Sequence, residues 1–155
     1  MGVSGSGKSA IGSALADHLK LPYIDADDLH PASNVEKMRN SIPLTDEDRW
    51  PWLEKVGNAL AENSNAVIAC SALKERYRDR IRQFAPGAIF ILLEAPADVL
   101  AKRVASRPGH YMPASLLASQ LEALEPLGPL ENGVSLTSEG PLEDVLAQAL
   151  SSLRE

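Results

Sequence analysis

The glycine spacing in the first nine residues constrains the fold of this chain more than any other feature. The segment GVSGSGKS places Gly2, Gly7, Lys8 and Ser9 in the pattern G-x-x-x-x-G-K-S. Glycines let such a loop turn its backbone N–H groups inward, and a helix beginning near Lys8 adds the positive end of its dipole. In this pattern the lysine reaches the β- and γ-phosphates of a nucleotide, and the hydroxyl is a ligand of Mg²⁺. The predicted nucleotide-binding residues are Gly2, Val3, Ser4, Gly5, Ser6, Gly7, Lys8, Ser9 and Ala10.

The apolar pattern of the chain predicts an α/β fold in one domain, residues 1–155. Two continuous apolar runs, AVIAC at 66–70 and AIFILL at 88–93, are typical of parallel strands buried on both faces. LPYIDADD predicts a strand tip that ends in carboxylates, and GVSLTS a weaker strand. Helices are predicted over about 8–20, 30–40, 51–62, 74–84, 95–107, 114–125 and 141–153, with a short turn capped by Thr45 and Asp48 before Pro51. Ligands of such sheets bind beyond the carboxyl ends of the strands.

Composition and charge exclude several classes of partner. The 155 residues carry a formal net charge of −6, and a polyanion needs a basic face, so no nucleic-acid partner is expected. No stretch approaches the roughly 18 consecutive apolar residues of a membrane span, and no secretory pattern is found, so no membrane partner is expected. Cys70 is the single cysteine, which excludes an internal disulfide and favours a reducing cytoplasm.

The acidic segment DADD is the candidate for proton and metal chemistry. Asp25 and Asp27 are two residues apart, so in extended chain both point to the same side at the tip of the strand. Two carboxylates there can divide the work of organising the water around Mg²⁺ and accepting a proton from a hydroxyl. The alternative is a solvated acidic turn, which the neighbouring glycine-rich loop disfavours. His30 is either a substrate ligand or a capping residue. Arg49 either pairs with a nearby aspartate or faces a substrate carboxylate.

Two arginines are the candidates for a cationic flap. Arg103 and Arg107 lie four apart on one face of a predicted helix that runs into the segment PGHYMP. A flap over the phosphates would neutralise charge on the transferred group and exclude water. The alternative is ordinary surface charge on a helix. The irregular segment that follows favours the flap, and we expect a lid over about 103–125.

Six motifs in order resemble the gluconokinases, small P-loop kinases related to the shikimate and adenylate kinases. They are GVSGSGKS, DADDLHP, NVEKM, PLTDEDRWPWL, CSALKERYRD and RPGHYMP. The resemblance extends from residue 1 to about 126 and returns weakly in the last helix. It implies a small-molecule kinase that transfers the γ-phosphoryl group of ATP to the 6-hydroxyl of D-gluconate to give 6-phosphogluconate, with ATP and Mg²⁺ bound, and it favours a homodimer.

The resemblance also implies roles for individual residues. Asp27 would be the base, by similarity to the D-x-D of shikimate kinases, and Asp25 would lie near the water shell of the metal. Arg49 would meet the gluconate carboxylate, His30 its hydroxyls, and Thr137–Pro141 would edge the adenine. The implied catalytic set is Lys8, Asp27, Arg103 and Arg107, the substrate-binding set is Asp27, His30, Arg49 and Lys74, and the metal set is Ser9 and Asp25.

The sequence departs from the family pattern before the glycine-rich loop. Family members carry a strand there, in the middle of the parallel sheet of a three-layer fold, with strand order 2-3-1-4-5, whereas here only Met1 precedes Gly2. We therefore expect a truncated first strand, from a start codon assigned too far downstream, and a marginally stable chain. Two alternatives to gluconate phosphorylation follow: a related kinase for another sugar acid or shikimate, and a nucleotide-binding module that no longer turns over.

Overall fold

A computed structural model describes residues 1–63, 65–108 and 114–154, and it shows strands alternating with helices. The strands are β1 (Tyr23–Asp25), β2 (Val67–Ala69), β3 (Phe90–Glu94) and β4 (Gly133–Thr137). The helices are α1 (Lys8–Leu19), α2 (Ala32–Arg39), α3 (Asp46–Glu62), α4 (Glu75–Phe84), α5 (Ala97–Ala105), α6 (Ala114–Ala123) and α7 (Leu142–Ser152), with a 3₁₀ helix at Ala26–Leu29. None of the helices in the described ranges is long and apolar enough to cross a membrane.

The strands form two parallel pairs, β1 with β2 and β3 with β4. Met1 and Gly2 lie between the pairs: the Leu93 N–H donates to the carbonyl of Met1 at 2.9 Å, and the Gly2 N–H to that of Ser71 at 3.4 Å. The spatial order is therefore the one expected from the resemblance, with these two residues in the central position. A cavity of about 750 Å³ separates the rest of β2 from β3, and the side chains that line it include Ile68 and Ile91.

Helices cover both faces of this arrangement, which makes three layers. On one face α3 and α4 bury Trp52, Leu53, Val56 and Ile81. On the other, α1 and α7 pack against β3 and β4 in a cluster that contains Ile11, Leu15, Leu93, Leu136, Val145 and Ala149. The loops that follow β1, β2, β3 and β4 consequently open at the same edge as the glycine-rich loop.

Two local predictions are wrong in detail. Thr45 and Asp48 do form a capping box, but the helix that they start runs without a break to Glu62 and contains Pro51. Pro51 lies only in the second turn, and the carbonyl that its missing N–H would have met belongs to the exposed Glu47. Asp27 does not lie in extended chain either, because β1 ends at Asp25 and the 3₁₀ helix begins at Ala26.

Candidate functional site

The glycine-rich loop has the backbone shape that its sequence predicts. Gly2, Gly5 and Gly7 have φ angles of 142°, 81° and 94°, in the region that favours glycine. A Cβ on Gly2 would lie 2.7 Å from the carbonyl oxygen of Leu93, so no larger residue fits there. Val3 is buried in a cluster with Leu100 of α5 and Leu117 of α6, which seats the loop on both helices.

The end of this loop fits an anion such as the phosphates of ATP. Helix α1 begins at Lys8, no side chain caps its N-terminus, and its first turn has no acidic residue. Its first N–H groups therefore keep their donor capacity and the positive end of the helix dipole. Ser6 is fully buried, and its hydroxyl has no hydrogen-bond partner among the described residues. The ammonium of Lys8 donates to the carbonyl of Val3 at 3.0 Å, back across the loop.

Lys8 and the two aspartates share one electrostatic environment. Burial is the main cause that lowers the pKa of Lys8, while the charges of Asp27 and Asp25 raise it. The pKa of Asp27 is raised, chiefly by desolvation and then by the charge of Asp25, and Lys8 opposes this shift. Asp25 also accepts a hydrogen bond from the Asp27 N–H at 3.0 Å, which holds the acidic turn in place.

The residues proposed for Mg²⁺ fit an ion that is held mainly by phosphates. Ser9 is exposed in the first turn of α1, and Asp25 is half-buried at the end of β1. Within the described ranges, no group of three or more His, Cys, Asp or Glu side chains could hold a metal by itself. Mg²⁺ typically binds through one or two protein ligands together with waters and phosphate oxygens, so this sparse donor set suits it.

His30 is held beside the acidic turn by contacts with Trp52 and Asn34. Its ring stacks on Trp52 with centroids 4.1 Å apart, and its Nδ1 lies 3.2 Å from the amide nitrogen of Asn34. Trp52 donates to the carbonyl of Ala26 at 2.7 Å and so ties α3 to the 3₁₀ helix. Burial, then the charge of Arg49, lowers the pKa of His30 to about 4. The imidazole is therefore neutral at physiological pH and can both donate and accept hydrogen bonds.

Three cationic side chains surround the ring of Tyr77. We name this set the Tyr77 cluster: Arg49, Lys74, Arg76 and Tyr77. The guanidinium carbons of Arg49 and Arg76 and the ammonium of Lys74 lie 5.4, 5.4 and 5.8 Å from the ring centroid. Among the described residues one carboxylate, that of Asp46, contacts the cluster: it accepts from the Tyr77 hydroxyl at 2.6 Å and from Arg76 at 2.7 Å. Three cations against one carboxylate leave an excess of positive charge, which suits an anionic ligand.

The two arginines proposed for the lid lie in different environments. Arg103 is half-buried, donates to the carbonyl of Gly5 at 3.3 Å and also contacts the hydroxyl and carbonyl of Ser138, so it joins the glycine-rich loop to the end of β4. Arg107 is exposed, and its charge contributes to the lowered pKa of Lys8. Most of PGHYMP, residues 109–113, lies outside the described residues.

Three residues near the site were not predicted to take part in it. Tyr77 and Trp52 are two of them, since the sequence predicts only core packing for an aromatic residue on a helix. Gln120 of α6 accepts a hydrogen bond from the Ser4 N–H of the glycine-rich loop at 2.8 Å. No local pattern distinguishes this glutamine from any other on a helix, so only the tertiary contact reveals it.

Comparison with known proteins identifies the family. Residues 4–125 match the family model described as Shikimate kinase. The chain is 49% identical over 129 residues to the thermosensitive gluconokinase of Escherichia coli K12, an alignment that covers 81% of this chain and 69% of that protein. It is 40% identical over 160 residues to the thermoresistant gluconokinase of the same strain, which covers 100% of this chain and 91% of the relative.

Solved structures agree with the sequence comparisons. A gluconokinase from Sinorhizobium meliloti 1021 superposes with a TM-score of 0.91 at 47% identity, covering 99% of this chain and 89% of that one. Shikimate kinase from Aquifex aeolicus superposes at a TM-score of 0.63 with 19% identity over 99% of this chain and 93% of that one, which shows a shared fold. The predicted P-loop kinase fold is confirmed. The chain belongs to the gluconokinases, within the shikimate kinase family of P-loop kinases.

Proposed function

We propose that this protein transfers the γ-phosphoryl group of ATP to the 6-hydroxyl of D-gluconate, giving 6-phosphogluconate and ADP. The observation that carries the proposal is that the acidic turn connects the glycine-rich loop to the Tyr77 cluster. At one end of this connection the charge of Asp27 interacts with that of Lys8. At the other end the His30 N–H donates to the carbonyl of Asp27 at 3.4 Å, and the charge of Arg49 lowers the pKa of the His30 imidazole. A phosphate donor and an acidic acceptor can thus meet at one carboxylate.

Each residue has a role that follows from its chemistry. Asp27 accepts the proton of the acceptor hydroxyl as that oxygen bonds to the phosphorus and the bond to the ADP oxygen breaks. Lys8 stabilises the charge on the phosphates. Ser9 would hold Mg²⁺, with Asp25 in its water shell, and the ion would supply further positive charge on the phosphate oxygens when bound.

The acceptor would be oriented by Arg49 of α3, by Lys74 directly before α4 and by His30 directly after the 3₁₀ helix. The carboxylate of gluconate would bind Arg49, with Lys74 helping to position anionic groups, and neutral His30 would contact the hydroxyls of the sugar acid. A bound carboxylate would compete with Asp46 for the same donors. Because phosphoryl transfer depends mainly on positioning and electrostatics, this orientation accounts for much of the expected rate.

We further propose that the single domain carries a lid over about 103–125. Arg107 would stabilise charge on the transferred group, supported by the effect of its charge on Lys8. Arg103 would do so from its position against Gly5. The segment Thr137–Pro141 would lie at the edge of the adenine, and the contact of Arg103 with Ser138 joins this segment to the glycine-rich loop. A homodimer in the cytoplasm stays a prediction, and light scattering coupled to size-exclusion chromatography tests the oligomeric state.

A coupled ADP-release assay tests the proposed function directly. Purified protein is given ATP and Mg²⁺ with gluconate, with shikimate, with a panel of other sugar acids, or with no acceptor. ADP release that depends on gluconate supports the proposal. Release that depends instead on shikimate or another sugar acid would assign a different acceptor. Nucleotide binding without release in any arm would show a module that no longer turns over.

The two aspartates can be separated by matched substitutions. Asp27→Asn and Asp25→Asn are both nearly isosteric, so nucleotide binding should survive in each. We expect Asp27→Asn to lower kcat by about 10²- to 10⁴-fold, the usual share of a general base. Asp25→Asn should instead raise the Mg²⁺ concentration needed for half-maximal rate. A severe Asp25→Asn with a mild Asp27→Asn would mean that the two roles are exchanged.

A further inference from the structure

Helix α6 reaches the glycine-rich loop through one side chain. The Oε1 atom of Gln120 accepts a hydrogen bond from the Ser4 N–H at 2.8 Å, although 116 residues separate the two in the chain. The approach is fixed by packing, because Leu117, one turn earlier on α6, is buried against Val3. Gln120 is half-buried, and among the described residues its amide nitrogen has no hydrogen-bond acceptor.

The hydrogen bond from Ser4 to Gln120 restrains a part of the glycine-rich loop whose backbone is costly to order. Three glycines with positive φ make this backbone costly to hold in one conformation, since glycine loses the most freedom on folding. Gln120 fixes the N–H of Ser4, and Arg103 of α5 donates to the carbonyl of the next residue, Gly5, at 3.3 Å. Two side chains from different helices therefore orient two peptide groups, Val3–Ser4 and Gly5–Ser6, of the loop that is proposed to hold phosphates.

A neutral amide suits this place better than a carboxylate would. The Ser4 N–H needs an acceptor, and both Gln and Glu offer one at the same reach. A carboxylate would add a negative charge against the phosphates of the nucleotide, and like charges repel strongly where water is scarce. Glutamine accepts the hydrogen bond without that repulsion.

We propose that Gln120 is a positioning residue for phosphoryl transfer, acting through the Ser4 N–H to hold the glycine-rich loop in its phosphate-binding shape. The effect on kcat rests on the proposed function. The effect on nucleotide binding rests only on the hydrogen bond between Gln120 and the Ser4 N–H. It assigns to α6 a direct part in the geometry of the donor site, in addition to its packing.

Three variants test this role. Gln120→Met keeps the length of the side chain and removes the acceptor. Gln120→Glu keeps the acceptor and adds a charge. Gln148→Met, on the exposed surface of α7, is the matched control for exchanging a helical glutamine. For each variant kcat, KM for ATP and KM for gluconate are measured, together with ATP affinity by calorimetry and the melting temperature.

We expect Gln120→Met to lower kcat by about 10- to 100-fold, the range that a small misplacement can produce. KM for gluconate and the melting temperature should stay close to those of the unsubstituted protein. Gln120→Glu should recover kcat and raise KM for ATP, because the hydrogen bond returns with an unfavourable charge. Gln148→Met should change none of these values.

Two results would overturn the proposal. One is a Gln120→Met protein whose kcat and ATP affinity lie within two-fold of the original. The other is a loss of activity that follows the loss of melting temperature and is equally large in Gln120→Glu, which would make the residue a packing element of α6. Calorimetry with ATP alone keeps these outcomes separate from a failure of the proposed acceptor, since it needs no turnover.

Discussion

Arg78 offers the sharpest test of how the fold supports the site. It lies on α4 and is fully buried. Its Nε atom donates to Oε1 of Glu131 and its Nη2 atom donates to Oε2, each at 2.7 Å. The remaining donors reach four backbone carbonyls, those of Ala72, Leu73, Glu125 and Pro126, at 3.2–3.3 Å. One guanidinium thus joins the loop before Lys74 to the segment that follows α6.

Replacing Arg78 by Met removes all of these donors and leaves the Glu131 side chain, which is only 3% exposed, with Arg82 as its cationic partner. Breaking a buried ion pair by removing one partner costs about 3–5 kcal/mol. Domains of this kind have a free energy of unfolding of about 5–15 kcal/mol in total. We therefore expect Arg78→Met to lower the melting temperature by roughly 6–20 °C, at about 2–4 °C per kcal/mol for a chain of this size.

Arg80→Met is the control on the same helix. Arg80 pairs with Glu54, and both side chains are about one-third exposed, at 32% and 37%. Exposed ion pairs contribute about 0–1 kcal/mol, so this variant should melt close to the original protein. Both variants are followed by circular dichroism during thermal and urea unfolding. An Arg78→Met protein that is no less stable than Arg80→Met would refute the argument.

The pH dependence of stability is a second test of the ion pair between Arg78 and Glu131. The hydrogen bond from Arg78 is the largest cause that lowers the pKa of Glu131 from 4.5 to about 2. A carboxyl with a lowered pKa in the folded state contributes stability that is present above about pH 4.5 and lost as the pH falls toward 2. The original protein should lose stability across this window, and Arg78→Met should lose much less. Equal slopes in the two proteins would contradict the assignment.

Three further predictions concern the site and the sheet. Lys8→Ala should keep its fold while kcat falls by orders of magnitude, because its charge acts on the transferred phosphate; near-normal turnover would remove the loop from the mechanism. The pKa of His30 is lowered to about 4 in the folded protein, from about 6.5 in the unfolded chain, so the free energy of unfolding should fall as the pH drops from 6.5 to 4. Urea unfolding of a His30→Gln variant at pH 7 and pH 5 should show a smaller loss of stability than the original protein does. Adding about five to eight apolar, β-branched residues before Met1 should fill the cavity between β2 and β3 with a strand and raise the melting temperature and the activity together. No rise in either value would show that a strand does not occupy this cavity.

The elements that could be predicted from the sequence are those with local signals. Continuous apolar runs identified β2 and β3, and the glycine spacing with Lys8 identified the loop and the start of α1. Thr45 and Asp48 carry a capping box that can be read in four residues. The continuation of α3 through Pro51 could not be predicted in this way, because it depends on how Trp52 and the residues after it pack against the core.

The residues that escaped prediction depend on tertiary contacts. Arg78 lies in a strongly charged helix, where an arginine is normally solvated, and its burial requires Glu131, which is 53 residues away. The same holds for Gln120, whose partner is at the other end of the chain. The aspartates were placed at the correct end of β1, but the 3₁₀ helix that turns Asp27 out of the strand has no strong local signal.

The electrostatics of Asp27 connect donor binding to its proposed role as a base. Burial and Asp25 raise its pKa, and Lys8 opposes them. Phosphates bound at the loop would engage the charge of Lys8 and add negative charge, and both effects raise the pKa of Asp27 further. A stronger base would then be present only when the donor is in place. The positive charge of Mg²⁺ would limit the rise, so that the carboxylate stays ionised until the acceptor hydroxyl gives up its proton. Asp25→Asn removes one of the charges that raise this pKa, so the acidic limb of the kcat profile should move to lower pH. A profile that does not move would separate Asp25 from the titration of the base.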